Sequence, residues 1–101
     1  MIVANRSDLE AAEIARAHAV VKRQVLPNFV DDFNVRLGAF EGEPAMWIEF
    51  LLSGSDDLEL AELERRASIL VPLQQTITSD MEIDGQDRFI FYRVGYRHIG
   101  S

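Results

Sequence analysis

Cysteine is absent from this sequence, and that absence excludes disulfide bonds, thiolate nucleophiles and thiolate-ligated zinc or iron–sulfur centres. Long hydrophobic runs are missing too. Apolar residues make up 48% of the chain, but charges interrupt them well before the roughly 18 consecutive residues that a bilayer-spanning helix needs. The opening Met1-Ile2-Val3-Ala4-Asn5-Arg6 has neither the basic start nor the continuous apolar stretch of a secretory signal, which points to a cytoplasmic protein. No glycine-rich loop opens a helix: Ser53-Gly54-Ser55-Asp56 lacks a lysine and ends in an acid that repels phosphate, so nucleotide binding finds no support. Lysine is nearly absent as well, Lys22 being the only one, so the positive charge is almost all arginine.

What is present suffices for one domain spanning residues 1–101, a length that buries a core without a metal or disulfide staple. The net charge of -7 is unevenly spread. Ten acids (Asp31, Asp32, Glu41, Glu43, Glu49, Asp56, Asp57, Glu59, Glu62 and Glu64) crowd the middle, where Arg36 is the one base before Arg65-Arg66. That acidic middle suits a basic partner. From Arg88 onward the pattern reverses, with Arg88, Arg93, Arg97 and His98 and no acid.

Hydrophobic periodicity gives the elements. Ser7 with Glu10 is a capping box, and Leu9, Ile14, Ala17, Val21 and Val25 share a helical face that Pro27 ends near Val25 or Leu26. From Phe29 the period becomes two: Phe33, Val35, Leu37 and Ala39 alternate with Asp32, Asn34 and Arg36. Glu41-Gly42-Glu43-Pro44 supplies a turn, and Met46, Ile48, Phe50 and Leu52 then alternate with Trp47, Glu49 and Leu51, which predicts an antiparallel hairpin. Asp56 and Glu59 repeat the capping arrangement before a second helix carrying Leu60, Leu63, Ala67, Leu70, Leu73 and Ile77 as far as Ser79. Pro72 should kink that helix or divide it. A last strand is predicted to follow from Met81, bending at Asp84-Gly85, with Ile90, Tyr92, Val94 and Tyr96 on one face and Phe89, Phe91, Arg93 and Arg97 on the other. The expected fold is α+β, order α-β-β-α-β, with both helices on one face of a three- to four-stranded antiparallel sheet.

Catalytic chemistry has little to work with. His18 and His98 belong to no spaced motif, Asp56 is accounted for as a helix cap, and Asp31 and Asp32 point to opposite faces of a strand. A carboxylate enzyme built on Asp31, Asp32 or Glu49 would need a cleft with a strongly shifted pKa. No motif calls for a metal or a cofactor.

Two binding readings remain. With the helices on the Met46, Ile48, Phe50 side, the opposite sheet face displays Trp47, Glu49, Leu51, Phe89, Phe91 and Arg93, the composition of an interface for a second copy or a protein partner. Alternatively, Arg88, Phe91, Arg93 and Arg97 interleave aromatics with positive charge, as in modules that bind single-stranded RNA, although a net charge of -7 opposes nucleic acid at long range. The hairpin Val35-Arg-Leu-Gly-Ala-Phe-Glu-Gly-Glu-Pro-Ala-Met-Trp-Ile-Glu-Phe50, followed by an acidic cap, an arginine-bearing helix and Phe91-Tyr-Arg93, resembles small uncharacterised bacterial proteins. Some of these are encoded beside a second small protein, as in toxin–antitoxin-like pairs. The resemblance covers about half of the chain and implies a binding partner, with no catalytic residues to carry over.

Overall fold

A computed structural model describes residues 6–54 and 58–96. It contains two helices and one three-stranded sheet in the order α1 (Arg6–Lys22), β1 (Val30–Phe40), β2 (Glu43–Leu52), α2 (Leu60–Ile83) and β3 (Phe89–Tyr96). The fold is α+β with the expected element order, and β2 lies in the middle of the sheet. No helix among the described residues is long and apolar enough to cross a membrane.

α1 is an alanine-rich segment of good helix propensity, and it buries Ala17, Val20 and Val21. It starts one residue before the predicted cap Ser7 and stops at Lys22, short of the predicted Val25. Gln24 explains the early end. Its backbone N–H donates to the Val21 carbonyl at 3.0 Å, while its side-chain amide donates to the Val20 carbonyl at 3.2 Å and to Asp80 Oδ2 on α2 at 2.8 Å. These bonds satisfy carbonyls left free at a helix end. Val25 is consequently 95% exposed, and Leu9, on the first turn, is 61% exposed, so neither joins the core.

The hairpin turns at Glu41-Gly42, where both residues have positive φ (51° and 81°), the geometry whose twist matches paired strands. Pairing then runs from Phe40 opposite Glu43 to Val30 opposite Leu52, with a bulge between Val30 and Asp32. Met46, Ile48, Phe50 and Leu52 are buried on one side of β2. Phe33, Val35 and Leu37 of β1 share that side through the register, as do Ile90 and Tyr92 of β3. α2 contributes Leu70, Ile77 and Met81 to the same cluster. Tyr92 stacks on Phe50, and its hydroxyl meets Thr78 Oγ1 at 2.8 Å and donates to the Gln74 carbonyl at 3.0 Å. Both helices therefore cover one face, as the alternation predicts. Coverage thins over β3, where Val94 remains 46% exposed.

The sheet is not antiparallel throughout: β3 pairs parallel to β2, from Ala45 opposite Phe89 to Leu52 opposite Tyr96. The cause lies in the connection. The 24 residues of α2 extend about 36 Å, and the 10 residues of β2 extend about 33 Å. A single helix of matched length thus carries the chain back to the level where β2 began, and the next strand must run the same way.

At this connection one of two open alternatives is excluded, the division of α2, and one expectation is corrected. α2 continues through Pro72 without dividing, because Pro72 and Ser68, whose carbonyl loses its N–H partner, both lie on the exposed side where water can replace it. The helix also runs past Ser79 to Ile83, so Met81 is a buried helical residue and not the start of a strand. Asp84-Gly85 is a helix stop: Gly85, at φ 89°, donates to the Glu82 carbonyl at 3.0 Å and Gln86 N–H to the Met81 carbonyl at 2.9 Å, a Schellman motif. At the other end of α2 the predicted cap Asp56 lies outside the described residues, and Glu59 takes the N-cap position without a side-chain capping bond.

Arg66 fastens the start of α2 to the sheet. Its guanidinium donates to the Ser53 carbonyl at 2.7 Å and to Glu62 at 2.7 Å, and lies 4.9 Å from the Phe29 ring centroid. Hydrogen bonds from Arg65 and Arg66 hold the Glu62 carboxyl at about 2, well below its ordinary 4.5. Since the folded pKa is the lower one, this stabilisation is fully present above pH 4.5 and is lost as the pH falls through about 2. Glu62→Gln should accordingly lower the melting temperature at pH 7 and make little difference at pH 2, read by circular dichroism melts across that range. In the core, Phe50→Ala is expected to cost about 3–5 kcal/mol in urea unfolding, the usual penalty for a phenylalanine-sized cavity.

Candidate functional site

The face of the sheet turned away from both helices is built by register. β1 contributes Asn34, Arg36 and Gly38; β2 contributes Ala45, Trp47, Glu49 and Leu51; β3 contributes Phe89, Phe91, Arg93 and Gly95. Adjacent positions of β2 and β3 pair Trp47 with Phe91 and Glu49 with Arg93.

An aromatic cluster forms its centre. The Trp47 and Phe91 rings stack with centroids 5.7 Å apart, and Phe40 reaches Phe91 from β1 at 5.0 Å. Phe40 spans β2 to do so, passing over Ala45, which is 0% exposed although it belongs to this face. The Trp47 indole leans the other way, over Gly38, where an added Cβ would stand 2.9 Å from Trp47 Cζ3. Only glycine leaves room for the ring. Arg36 lies 5.7 Å from the Trp47 centroid, in cation–π range.

Beside the rings is a shallow depression of about 390 Å³ lined by Asn34, Val35, Arg36, Trp47, Glu49 and Arg93. Glu49 leans across toward β3: its Oε2 would be 3.3 Å from a Cβ placed on Gly95. Among the described residues neither the Glu49 nor the Arg93 side chain makes a hydrogen bond or an ion pair, although they are cross-strand neighbours. Phe89 is 58% and Phe40 47% exposed, so the cluster is open at its rim.

The six residues expected at an interface (Trp47, Glu49, Leu51, Phe89, Phe91 and Arg93) all fall on this one face. Of the four expected for RNA, Phe91 and Arg93 share this face and Arg88 does not. Arg88 turns to the helix side, where its Nε meets Glu13 Oε2 on α1 at 2.6 Å with both side chains 17% exposed, and its Nη1 donates to the Gly38 and Ala45 carbonyls at 3.2 and 3.3 Å. Arg97 lies outside the described residues. Asp31 and Asp32 are exposed at the far end of β1, and Asp32 Oδ1 accepts the Phe33 backbone N–H at 2.8 Å. The His18 ring packs at a tilt against Phe33 of β1 with centroids 4.3 Å apart, a contact between α1 and the sheet.

No protein-family model, curated protein or solved structure matches the chain. The site is therefore read from its own geometry. Among the described residues no group of three or more His, Asp or Glu side chains converges to hold a metal ion. Phe40 and Arg36 were missing from the sequence-based set. Counting outward from the Glu41-Gly42 turn places Arg36 opposite Trp47 and would have found it; the contact of Phe40 with Phe91 needed the position of β3.

Arg88 sets that position, since one guanidinium joins α1, β1 and β2 at the point where β3 begins. Removing it leaves the largely buried Glu13 carboxylate without its partner. Arg88→Ala should cost about 1.5–3 kcal/mol in urea unfolding, and Arg88→Lys should recover only part, because an ammonium lacks the guanidinium fork.

Proposed function

We propose that this chain is a cytoplasmic, non-enzymatic protein-interaction module that dimerises or binds a protein partner through the open face of its sheet. The observation that carries the reading is the Phe40–Phe91–Trp47 cluster flanked by Arg36, Glu49 and Arg93, on a face that no described helix covers. Rings with a few charges at the edge are the residues that dominate binding energy in protein interfaces. The depression beside them joins a carboxylate to two guanidiniums and an indole, with no hydroxyl nucleophile, histidine or lysine in its lining. Single-stranded RNA remains the runner-up, and Phe91 with Arg93 would serve it. The engagement of Arg88 with Glu13 and the net charge of -7 both favour protein over nucleic acid.

Trp47→Ala tests the reading. Molar mass measured by light scattering over a concentration series should show association of the wild-type chain above 11.5 kDa that is weakened at least about thirtyfold in the variant, the order expected for a central tryptophan. The helical circular dichroism signal should be unchanged. Unfolding of the variant would identify Trp47 as a core residue and overturn the assignment of this face.

A further inference from the structure

We infer that the partner of the open face is a second copy of the chain, docked face to face about a two-fold axis that runs parallel to the strands between β2 and β3. The inference rests on the interaction reading above and names its partner. Its basis is the parallel register, which sets Trp47 level with Phe91 and Glu49 level with Arg93. An axis between two parallel strands exchanges them without reversing their direction. Whatever stands on β2 in one copy then faces its β3 neighbour in the other, so Glu49 meets Arg93 and Trp47 meets Phe91, each pairing occurring twice.

Such self-complementarity is demanding, because an axis through β2 itself would set Glu49 against Glu49. The β2/β3 rows satisfy it in charge, Glu49 standing level with Arg93, and in the rings of Trp47 and Phe91. Ala45 lies under Phe40 and Gly95 under Glu49 and Leu51 of the same chain, so the exchange rests on the two central rows, Glu49 with Arg93 and Trp47 with Phe91. Glu49 and Arg93 stand side by side yet form no ion pair within the described chain, which leaves both free for a partner across the axis. Packed sheets cross at about 30° because each is twisted, so the exchange is tightest in the two central rows and loosens towards Leu51 and Phe89. Overlap of two strands covers about 10 by 27 Å. At roughly 270 Å² per copy this is well below the ~800 Å² per partner of a standard interface, so a weak dimer populated only at high concentration is expected.

The experiment reads molar mass by light scattering, at low ionic strength and over a concentration series, on the full chain and on Glu49→Arg, Arg93→Glu and an equimolar mixture of the two variants. The wild type should approach twice 11.5 kDa as concentration rises. Each reversal alone sets like charges against each other twice and should weaken the dimer at least about tenfold. In the mixture the introduced arginine of one copy faces the introduced glutamate of the other, and the native Arg93 faces the native Glu49, so association should return to within about threefold of wild type. Recovery in the mixture also shows that both variants are folded. A wild type that stays monomeric at every concentration overturns the inference. So does a dimer indifferent to both reversals, which would place the contact elsewhere, such as the free edge of β3, and so does a mixture that fails to recover. In the last two cases the interaction reading is still decided separately by the association of Trp47→Ala; for a monomeric wild type it is decided by the circular dichroism of that variant, whose unfolding would make Trp47 a core residue.

Discussion

Burial of Met46, Ile48, Phe50 and Leu52 along one side of β2 is the constraint to which the other elements answer. A strand with four such side chains must be roofed, and two helices on the same side do it, α1 with Ala17, Val20 and Val21 and α2 with Leu70, Ile77 and Met81. Because β2 alternates, the roof on one side leaves Trp47, Glu49 and Leu51 on the other. The open face is thus not an accident of local composition; it is the second side of the strand that organises the core.

Two arginines hold this arrangement at opposite ends of the crossover. Arg66 joins the start of α2 to the Ser53 carbonyl and the Phe29 ring, and Arg88 joins the start of β3 to Glu13 and the turn end of the hairpin. Both are largely withdrawn from solvent, so their hydrogen bonds act in a medium of lower dielectric than water and carry more energy than surface pairs do. Positive charge in this acidic chain is used at its joints, while Arg36 and Arg93 are left to the open face.

Period and turn chemistry made the hairpin legible, down to which residues of β1, β2 and β3 share a face, because alternation depends only on neighbours in the chain. Direction was not legible in the same way. Parity assigns Phe91 and Arg93 to the face of Trp47 whether β3 runs parallel or antiparallel; the length of α2 decides between them, and spacing alone does not show that Met81 to Ile83 continue the helix. Gly85 suggests a bend in a strand as readily as a helix stop, because a glycine with positive φ suits both equally well. Arg88 shows the remaining kind of error. Its spacing from Phe91 and Arg93 suggested one basic, aromatic surface, but it sits at the opposite parity, and its partner Glu13 is distant in the chain and close only through the packing of α1. The site could be named from sequence where it depended on alternation, and not where it depended on a contact across elements.

The crossover also gives the face a history in time. β1 and β2 pair through a two-residue turn, a local event that can occur early, whereas β3 reaches β2 only after the long α2 segment has been ordered, at the entropic cost of closing a long loop. Until that closure, Trp47 has no Phe91 to stack on and Glu49 has no level arginine. The aromatic surface and its alternating charges therefore come into being only when β3 docks, so that a chain caught before closure presents a bare strand edge, and the complete face exists only on a molecule that has finished folding.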